Sequence, residues 1–177
     1  MRILSDLCGL SVSRLYAVAW PPTGDPSPIH WDVSIGLELA QLPDICVLIC
    51  SDSIETTSPF VAYYSPPDTA LDGAVFVSTM KAWSMVDEID GYGFYHFDLS
   101  TQPEFSSIVG HEIMSIDALM LSDDKCLPVG VRLNFLNDYL MAISNLYGST
   151  FESEQFNRLG LIAELGRRGD LEYRRLC

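Results

Sequence analysis

Three histidines and five cysteines are the side chains in this sequence most suited to bind a metal or act as a nucleophile. They are His30, His96, His111, Cys8, Cys46, Cys50, Cys126 and Cys177. The histidines form no HxxxH or HExxH frame, and the cysteines form no CxxC pair of the kind that binds zinc. Cys46 and Cys50 fall on one face of a predicted buried strand, which favours small core residues. The pattern therefore predicts no metal and no cofactor.

Motifs for phosphate binding or covalent catalysis are also missing from the sequence. It contains no GxxxxGK or GxGxxG loop and no GxSxG turn. A cysteine hydrolase would have to combine Cys8 or Cys126 with His111 and a distant acid. We therefore predict that the protein is not an enzyme, and an enzyme built from scattered residues is the third-ranked alternative.

The charge is strongly acidic and unevenly distributed. The chain carries 24 acidic and 10 basic residues, a net charge of −14. Residues 52–124 hold thirteen of the acids and a single base, Lys81. Such a surface repels nucleic acid and anionic membranes, and it speeds encounter with basic proteins. The charge predicts a basic protein partner and excludes nucleic acid and membrane as partners, while the oligomeric state stays open.

Three acids lie at the end of a predicted helix, in residues 87–90, and four aromatic residues and a further acid follow in residues 91–98. Acids at a helix C-terminus oppose its dipole, so a partner is one reason to keep them there. The alternative is a core strand with a solvated acidic edge. Including nearby acids, the candidate partner-binding residues are Asp87, Glu88, Asp90, Tyr92, Tyr95, Asp98, Glu104, Asp123 and Asp124.

An internal sequence repeat predicts how these residues are positioned. Residues 7–18 resemble residues 108–119 at an offset of 101, with Gly9 aligned to Gly110. In each half a polar loop and two alternating or apolar stretches follow, which is typical of antiparallel strands. We predict one domain, residues 1–177, with β-meander repeats at about 1–65 and 104–150 and an insert at 66–103.

Helical periodicity appears in two other segments. Apolar residues recur every three or four positions in residues 78–89 and 154–168, after a short strand expected at 74–77. The prediction is an α+β fold with a central amphipathic helix and a C-terminal helix within residues 151–177.

The compartment is predicted from what the sequence lacks. No apolar run reaches the roughly 18 to 20 residues of a membrane span, and an acid at Asp6 precedes any long apolar run. Five scattered cysteines suggest reduced, mostly buried thiols. We expect a cytoplasmic protein.

The second half of the chain resembles a known family type. Gly110, Ile113 and Ile116, followed by the strand patterns at 129–135 and 139–145, resemble modules of small bacterial immunity proteins. Those proteins neutralise toxins of polymorphic, contact-dependent or type VI secretion systems. The resemblance covers about a quarter of the chain and implies binding to one cognate toxin, with no transferable site residue. The alternative is an acidic adaptor or chaperone for another basic protein.

Overall fold

The computed structural model describes residues 4–20, 32–50, 60–79, 95–121, 128–145, 148–157 and 171–177. Within these ranges the protein is mainly β, with a six-stranded sheet, a five-stranded sheet and one seven-residue helix. The first sheet has the order β4-β3-β2-β1-β6-β5. Its strands are β1 (Val12–Trp20), β2 (Asp32–Leu39), β3 (Leu42–Cys50), β4 (Phe60–Tyr64), β5 (Leu71–Asp72) and β6 (Tyr95–Asp98).

The second sheet has the order β10-β9-β8-β7-β11. Its strands are β7 (Ser115–Leu121), β8 (Pro128–Asn134), β9 (Tyr139–Asn145), β10 (Gly148–Ser153) and β11 (Leu171–Arg175). Helix α1 (Gly73–Thr79) joins β5 to the segment before β6. Short 3-10 turns at Leu4–Leu7 and Pro103–Phe105 precede β1 and β7.

One apolar core lies between the two sheets. Alternate residues of β1, β2 and β3 point to it, as period-two patterns require. Ile35 and Leu37 of β2 are buried there with Leu133 of β8 and with Leu140 and Ala142 of β9. Since β2 lies close to β10 and β3 close to β9, the sheets pack face to face as a sandwich.

Five of the phenylalanines in this core contact one another and join its elements. Phe76 comes from α1, Phe97 from β6, Phe105 from a 3-10 turn, Phe151 from β10 and Phe156 from the bend that follows. The Phe151 ring lies 6.0 Å from Phe76, 6.2 Å from Phe105 and 5.4 Å from Phe156. Contacts between aromatic rings add to the free energy of burial, so this cluster links both sheets and α1.

The two sheets repeat the same strand order and register. Leu15 of β1 pairs with Leu37, and Ile116 of β7 pairs with Leu133. Strand β6 flanks β1 as β11 flanks β7, and both pairs are antiparallel. The offset of 101 therefore relates residues in equivalent positions of the two sheets. The first unit also uses β5, α1 and β6, which lie in the segment 66–103 that the sequence assigned to an insert.

The two units are joined at the segments around Gly9 and Gly110, where the sequence repeat is strongest. Gly9 and Gly110 have φ of +80° and +84°, a conformation that glycine adopts without strain. The Gly9 N–H donates to the Ile113 carbonyl at 2.9 Å, and the Gly110 N–H donates to the Val12 carbonyl at 2.7 Å. Two further hydrogen bonds are related in the same way: the Val12 N–H donates to the His111 carbonyl, and the Ile113 N–H donates to the Leu10 carbonyl. These four bonds connect the segments by a pseudo-two-fold arrangement.

The predicted α+β class is wrong, because the described residues are mainly β. Residues 74–77, expected as a strand, form most of α1. The Asp72 carboxylate accepts the Ala74 N–H at 2.9 Å and so caps the first turn. Only residues 78 and 79 of the predicted central helix are described, and they end α1; residues 80–89 lie outside the described residues.

The predicted C-terminal helix also fails where it is described. Residues 154–157 form a bend in which Asn157 has φ of +56°, outside the right-handed helical region. The Asn157 side chain donates to the Phe151 carbonyl at 3.0 Å, and Asp138 accepts the Glu154 N–H at 2.9 Å. These bonds stabilise the bend. Residues 158–168 lie outside the described residues, and β11 follows at Leu171.

Candidate functional site: a polar cluster around Asp98

The structure describes only part of the predicted binding surface. Asp98 ends β6, and Glu104 lies half-buried in the following 3-10 turn. Tyr95 begins β6, where its backbone pairs with Ala19. The other candidates lie outside the described residues: Asp87, Glu88, Asp90, Tyr92, Asp123 and Asp124. Among these candidates, Asp98 has described side-chain contacts that define a site.

Asp98 lies on the outer face of the first sheet, beside β1. Its Oδ2 atom accepts a hydrogen bond from the Arg14 guanidinium at 3.0 Å, and its Oδ1 accepts the Ser100 N–H at 2.9 Å. Arg14 also lies 3.8 Å from Oε1 of Glu38 on β2. Because Arg14 pairs with Glu38 across the strands, three adjacent strands place one cation between two carboxylates. We name Arg14, Tyr16, Glu38 and Asp98 the Asp98 cluster.

Tyr16 is the fully buried member of this cluster. Its side chain is fully buried, and its hydroxyl donates to Oε1 of Glu38 at 2.5 Å. The Arg14 guanidinium lies 5.7 Å from the ring centre, within cation–π range. Burial raises the pKa of Tyr16 above its ordinary value, and the hydrogen bond to Glu38 adds to the increase. Tyr16 is therefore a neutral donor, poorly suited to act as a base or nucleophile.

We expect Tyr16→Phe to reveal this raised pKa through the pH dependence of stability. The unfolded tyrosine ionises near pH 10, so the contribution of the neutral hydroxyl is complete below about pH 10 and is lost as the pH rises further. The difference in free energy of unfolding between wild type and Tyr16→Phe should narrow from about pH 8 to about pH 11. Urea unfolding at both pH values measures it, with half-exposed Tyr173→Phe as control. A constant difference would contradict the assignment.

Further acids lie beside the Asp98 cluster, at the edge of the sheet. Asp72 of β5 pairs in register with Asp98, and Asp68 lies just before β5. Both Asp68 and Asp72 are exposed. We name Asp68, Asp72 and Asp98 the acidic edge. The acidic stretch 52–124 contains all three, but only the pairing of β5 with β6 places Asp72 beside Asp98. Arg14 and Glu38 come from distant segments, and no sequence signal indicated them.

The second sheet carries a different polar cluster on its outer face. The Arg132 guanidinium lies 4.3 Å from the ring centre of Tyr139 and 5.7 Å from that of Tyr173. The Tyr139 hydroxyl donates to the buried Glu152 carboxylate at 3.0 Å. Burial raises the pKa of Tyr139, and the nearby Glu152 charge raises it further. This arrangement holds Arg132 in a packed position against aromatic rings, which leaves it poorly placed to offset the acidic surface.

The expectation of reduced cysteines is wrong for one pair. Cys8 and Cys177 form a disulfide that spans 169 residues of sequence. The sequence spacing gave no sign of it, because the pair forms only when β11 returns to the second sheet. Cys46 is a buried thiol outside the disulfide and packs with Tyr16, Val18 and Leu48 on the outer face of the first sheet. Its predicted role as a small buried residue is confirmed, whereas the side chain of Cys50 lies outside those that the structure describes.

Within the described ranges no group of three histidine, cysteine or carboxylate side chains has the geometry to hold a metal ion. Cys8, one of the two candidate nucleophiles, is in the disulfide, and Cys126 lies outside those ranges. None of the described helices is both long and apolar enough to cross a membrane. The described geometry is thus dominated by surface charge and packed polar clusters.

Comparisons of the chain with protein-family models, with curated proteins and with solved structures found no match.

Proposed function

We propose that this protein binds and neutralises a basic protein toxin, as an immunity protein, by covering it with its acidic edge. The observation that carries the proposal is the pairing of Asp72 with Asp98 at one edge of a sheet, with exposed Asp68 three residues before β5, in a chain with a net charge of −14. The chemistry of these groups favours binding over catalysis. The proposal places the protein in the cytoplasm, where an immunity protein meets a delivered toxin.

The charge balance of the acidic edge supports a cationic partner. Arg14 offsets part of the charge of Asp98 and Glu38, and Asp68 and Asp72 add two exposed carboxylates. Acids outnumber bases in the described ranges as a whole. The described bases are Arg14, Arg132, Arg174 and Arg175, and the described acids are Asp6, Asp32, Glu38, Asp44, Asp68, Asp72, Asp98, Glu104, Glu112, Asp117, Asp138, Glu152, Glu154 and Glu172. A partner rich in lysine and arginine gains most from approaching such an edge.

Rigid positioning is the second support. Asp98 is fixed by Arg14 and by the Ser100 N–H, and Asp72 caps α1. Carboxylates that are already held in place lose less conformational entropy when a partner binds. The edge therefore presents a preformed set of acceptors to arginine and lysine side chains.

A charge-matched pair of variants tests the surface. The variant Asp68→Asn/Asp72→Asn removes two charges from the acidic edge and keeps an oxygen that can cap α1. The control Asp44→Asn/Glu172→Gln removes the same charge at exposed positions on β3 and β11. We expect the first variant to bind the toxin-like product of the neighbouring reading frame about tenfold more weakly than the control does. Affinity measured at low and high salt, with protection of cells that express the toxin, gives the readout.

Two results would contradict the proposal. One is equal affinity of the two variants together with an association rate that does not fall as salt increases, because exposed opposite charges are screened over about 8 Å at physiological salt. The other is failure of the wild-type protein to protect cells from the neighbouring product, which favours an adaptor for another basic protein. The predicted contact residues Asp87, Glu88 and Asp90 can be tested by the same binding measurement, after substitution by Asn, Gln and Asn respectively.

A further inference from the structure

Strand β11 pairs with β7 along its whole length, but only one of its side chains is buried. It is an outer strand in that sheet's order and pairs with β7, from Leu171 opposite Leu121 to Arg175 opposite Asp117. Leu171 is buried, whereas residues 172–177 are exposed. An outer strand with so little buried surface gains little free energy from the hydrophobic effect.

The side-chain contacts of β11 are mostly at the surface. Arg175 lies 2.9 Å from the Asp117 carboxylate, but its side chain is 60% exposed, and exposed ion pairs contribute about 0 to 1 kcal/mol. Tyr173 is 48% exposed and lies within cation–π range of Arg132. Its hydroxyl is 3.9 Å from the Met141 sulfur. None of these contacts fixes the end of the strand as a covalent bond does.

The covalent bond is the Cys8–Cys177 disulfide. Cys8 lies next to Gly9, which makes a hydrogen bond to Ile113 at the junction of the two units. The disulfide thus ties the end of β11 to the junction, and Leu176 N–H donates to the Ile116 carbonyl beside it. Cys8 is partly buried but Cys177 is exposed, so a small reductant can reach the bond from the Cys177 side.

We propose that Cys8–Cys177 is a reversible thiol–disulfide site, and that its reduction releases β11 from the β7 edge. The proposal is independent of the toxin-binding function. A thiolate of a dithiol reductant attacks one sulfur, which breaks the Cys8–Cys177 bond and forms a mixed disulfide. The second reductant thiolate then displaces the protein sulfur. Two electrons and two protons pass from the dithiol to the protein, leaving two cysteine thiols and an oxidised reductant.

Release of β11 changes the second sheet in two ways. The backbone N–H and C=O groups of β7 that pair with β11 become free, which makes β7 a template for another strand. The apolar side chains near Leu171, including Leu119 and Met141, lose part of their cover. The redox state of one bond therefore controls access to a strand edge and to an apolar patch.

Hydrogen exchange measured by mass spectrometry tests the site on the full chain. Oxidised protein and protein treated with tris(2-carboxyethyl)phosphine are compared in peptides covering β7, β11 and, as an internal reference, β2. We expect exchange of β7 and β11 to become at least about tenfold faster after reduction, with β2 unchanged. Cys177→Ser should exchange rapidly in β7 and β11 without reductant and respond no further to it. Cys46→Ala, which removes a thiol outside the disulfide, should retain the full response.

Three outcomes would overturn the proposal. The first is a purified, unreduced protein that yields no Cys8–Cys177 linked peptide. The second is unchanged exchange of β11 after reduction, because the strand then needs no covalent tie. The third is equal acceleration of β2, because the disulfide then stabilises the whole fold and does not control one strand.

Discussion

Phe151→Ala should lower the free energy of unfolding by about 3 to 5 kcal/mol, one of the two largest effects we expect from a single substitution. Phe151 is 1% exposed and touches the rings of Phe76, Phe105 and Phe156, which belong to three different elements. Its removal leaves a cavity between the two sheets that rigid strands cannot fill. Urea unfolding followed by tryptophan fluorescence measures the loss.

The matched control for this substitution is Leu136→Ala. Leu136 is 72% exposed in the β8–β9 turn, so its truncation should change stability by less than about 0.5 kcal/mol. If Phe151→Ala unfolds the protein altogether, Phe151→Leu keeps the test open with a smaller expected loss of about 1 to 1.5 kcal/mol. A loss below about 1 kcal/mol for Phe151→Ala would contradict a shared core between the sheets.

Gly73→Ala should destabilise the protein by about 3 kcal/mol or more, through a collision with the backbone. An added Cβ at Gly73 would lie 2.0 Å from the Asp98 carbonyl oxygen and 2.8 Å from its carbonyl carbon. Helix α1 would have to move away from β6 and carry Phe76 out of the aromatic cluster. The unfolding midpoint in urea provides the measurement.

Gly110→Ala separates this collision from ordinary glycine effects. An added Cβ at Gly110 meets nothing within 4 Å, but its φ of +84° strains a side-chain residue. We expect a cost of about 1 to 2 kcal/mol there. Equal losses for the two variants would show that close packing of α1 on β6 contributes little.

The strands were more predictable than the helices, for a physical reason. Alternation of apolar residues in β2 and β8 follows from a sheet with one face in the core, and the repeat at an offset of 101 strengthened the signal. Residues 74–77 are apolar and read equally well as strand or helix. The Asp72 cap and the close approach of Gly73 to β6 decide in favour of helix. Contacts of this kind depend on chain segments that are distant in sequence.

The candidate site was predictable in its charge and not in its geometry. Asp98 was a candidate on its own, because it lies in a stretch of acids and aromatic residues. Its partner Arg14 is 84 residues away and meets it only through the pairing of β1 with β6. The Cys8–Cys177 bond was missed for the same reason, since it depends on the position of β11. Composition predicts the sign of the surface charge, whereas the strand topology determines which side chains lie together on that surface.

The junction between the two units also bears on the order in which the chain folds. Strands β2 and β3, like β8 and β9, are joined by short turns, so their pairing closes small loops. The bonds between Gly9 and Ile113 and between Gly110 and Val12 close loops of about a hundred residues. Each doubling of loop length adds roughly 0.6 kcal/mol to the entropic cost of closing the loop. The loops closed at the junction are several doublings longer than the hairpin loops, so they cost more to close. The meanders should therefore form as separate nuclei, and the rate-limiting step should be their docking through the two glycine segments.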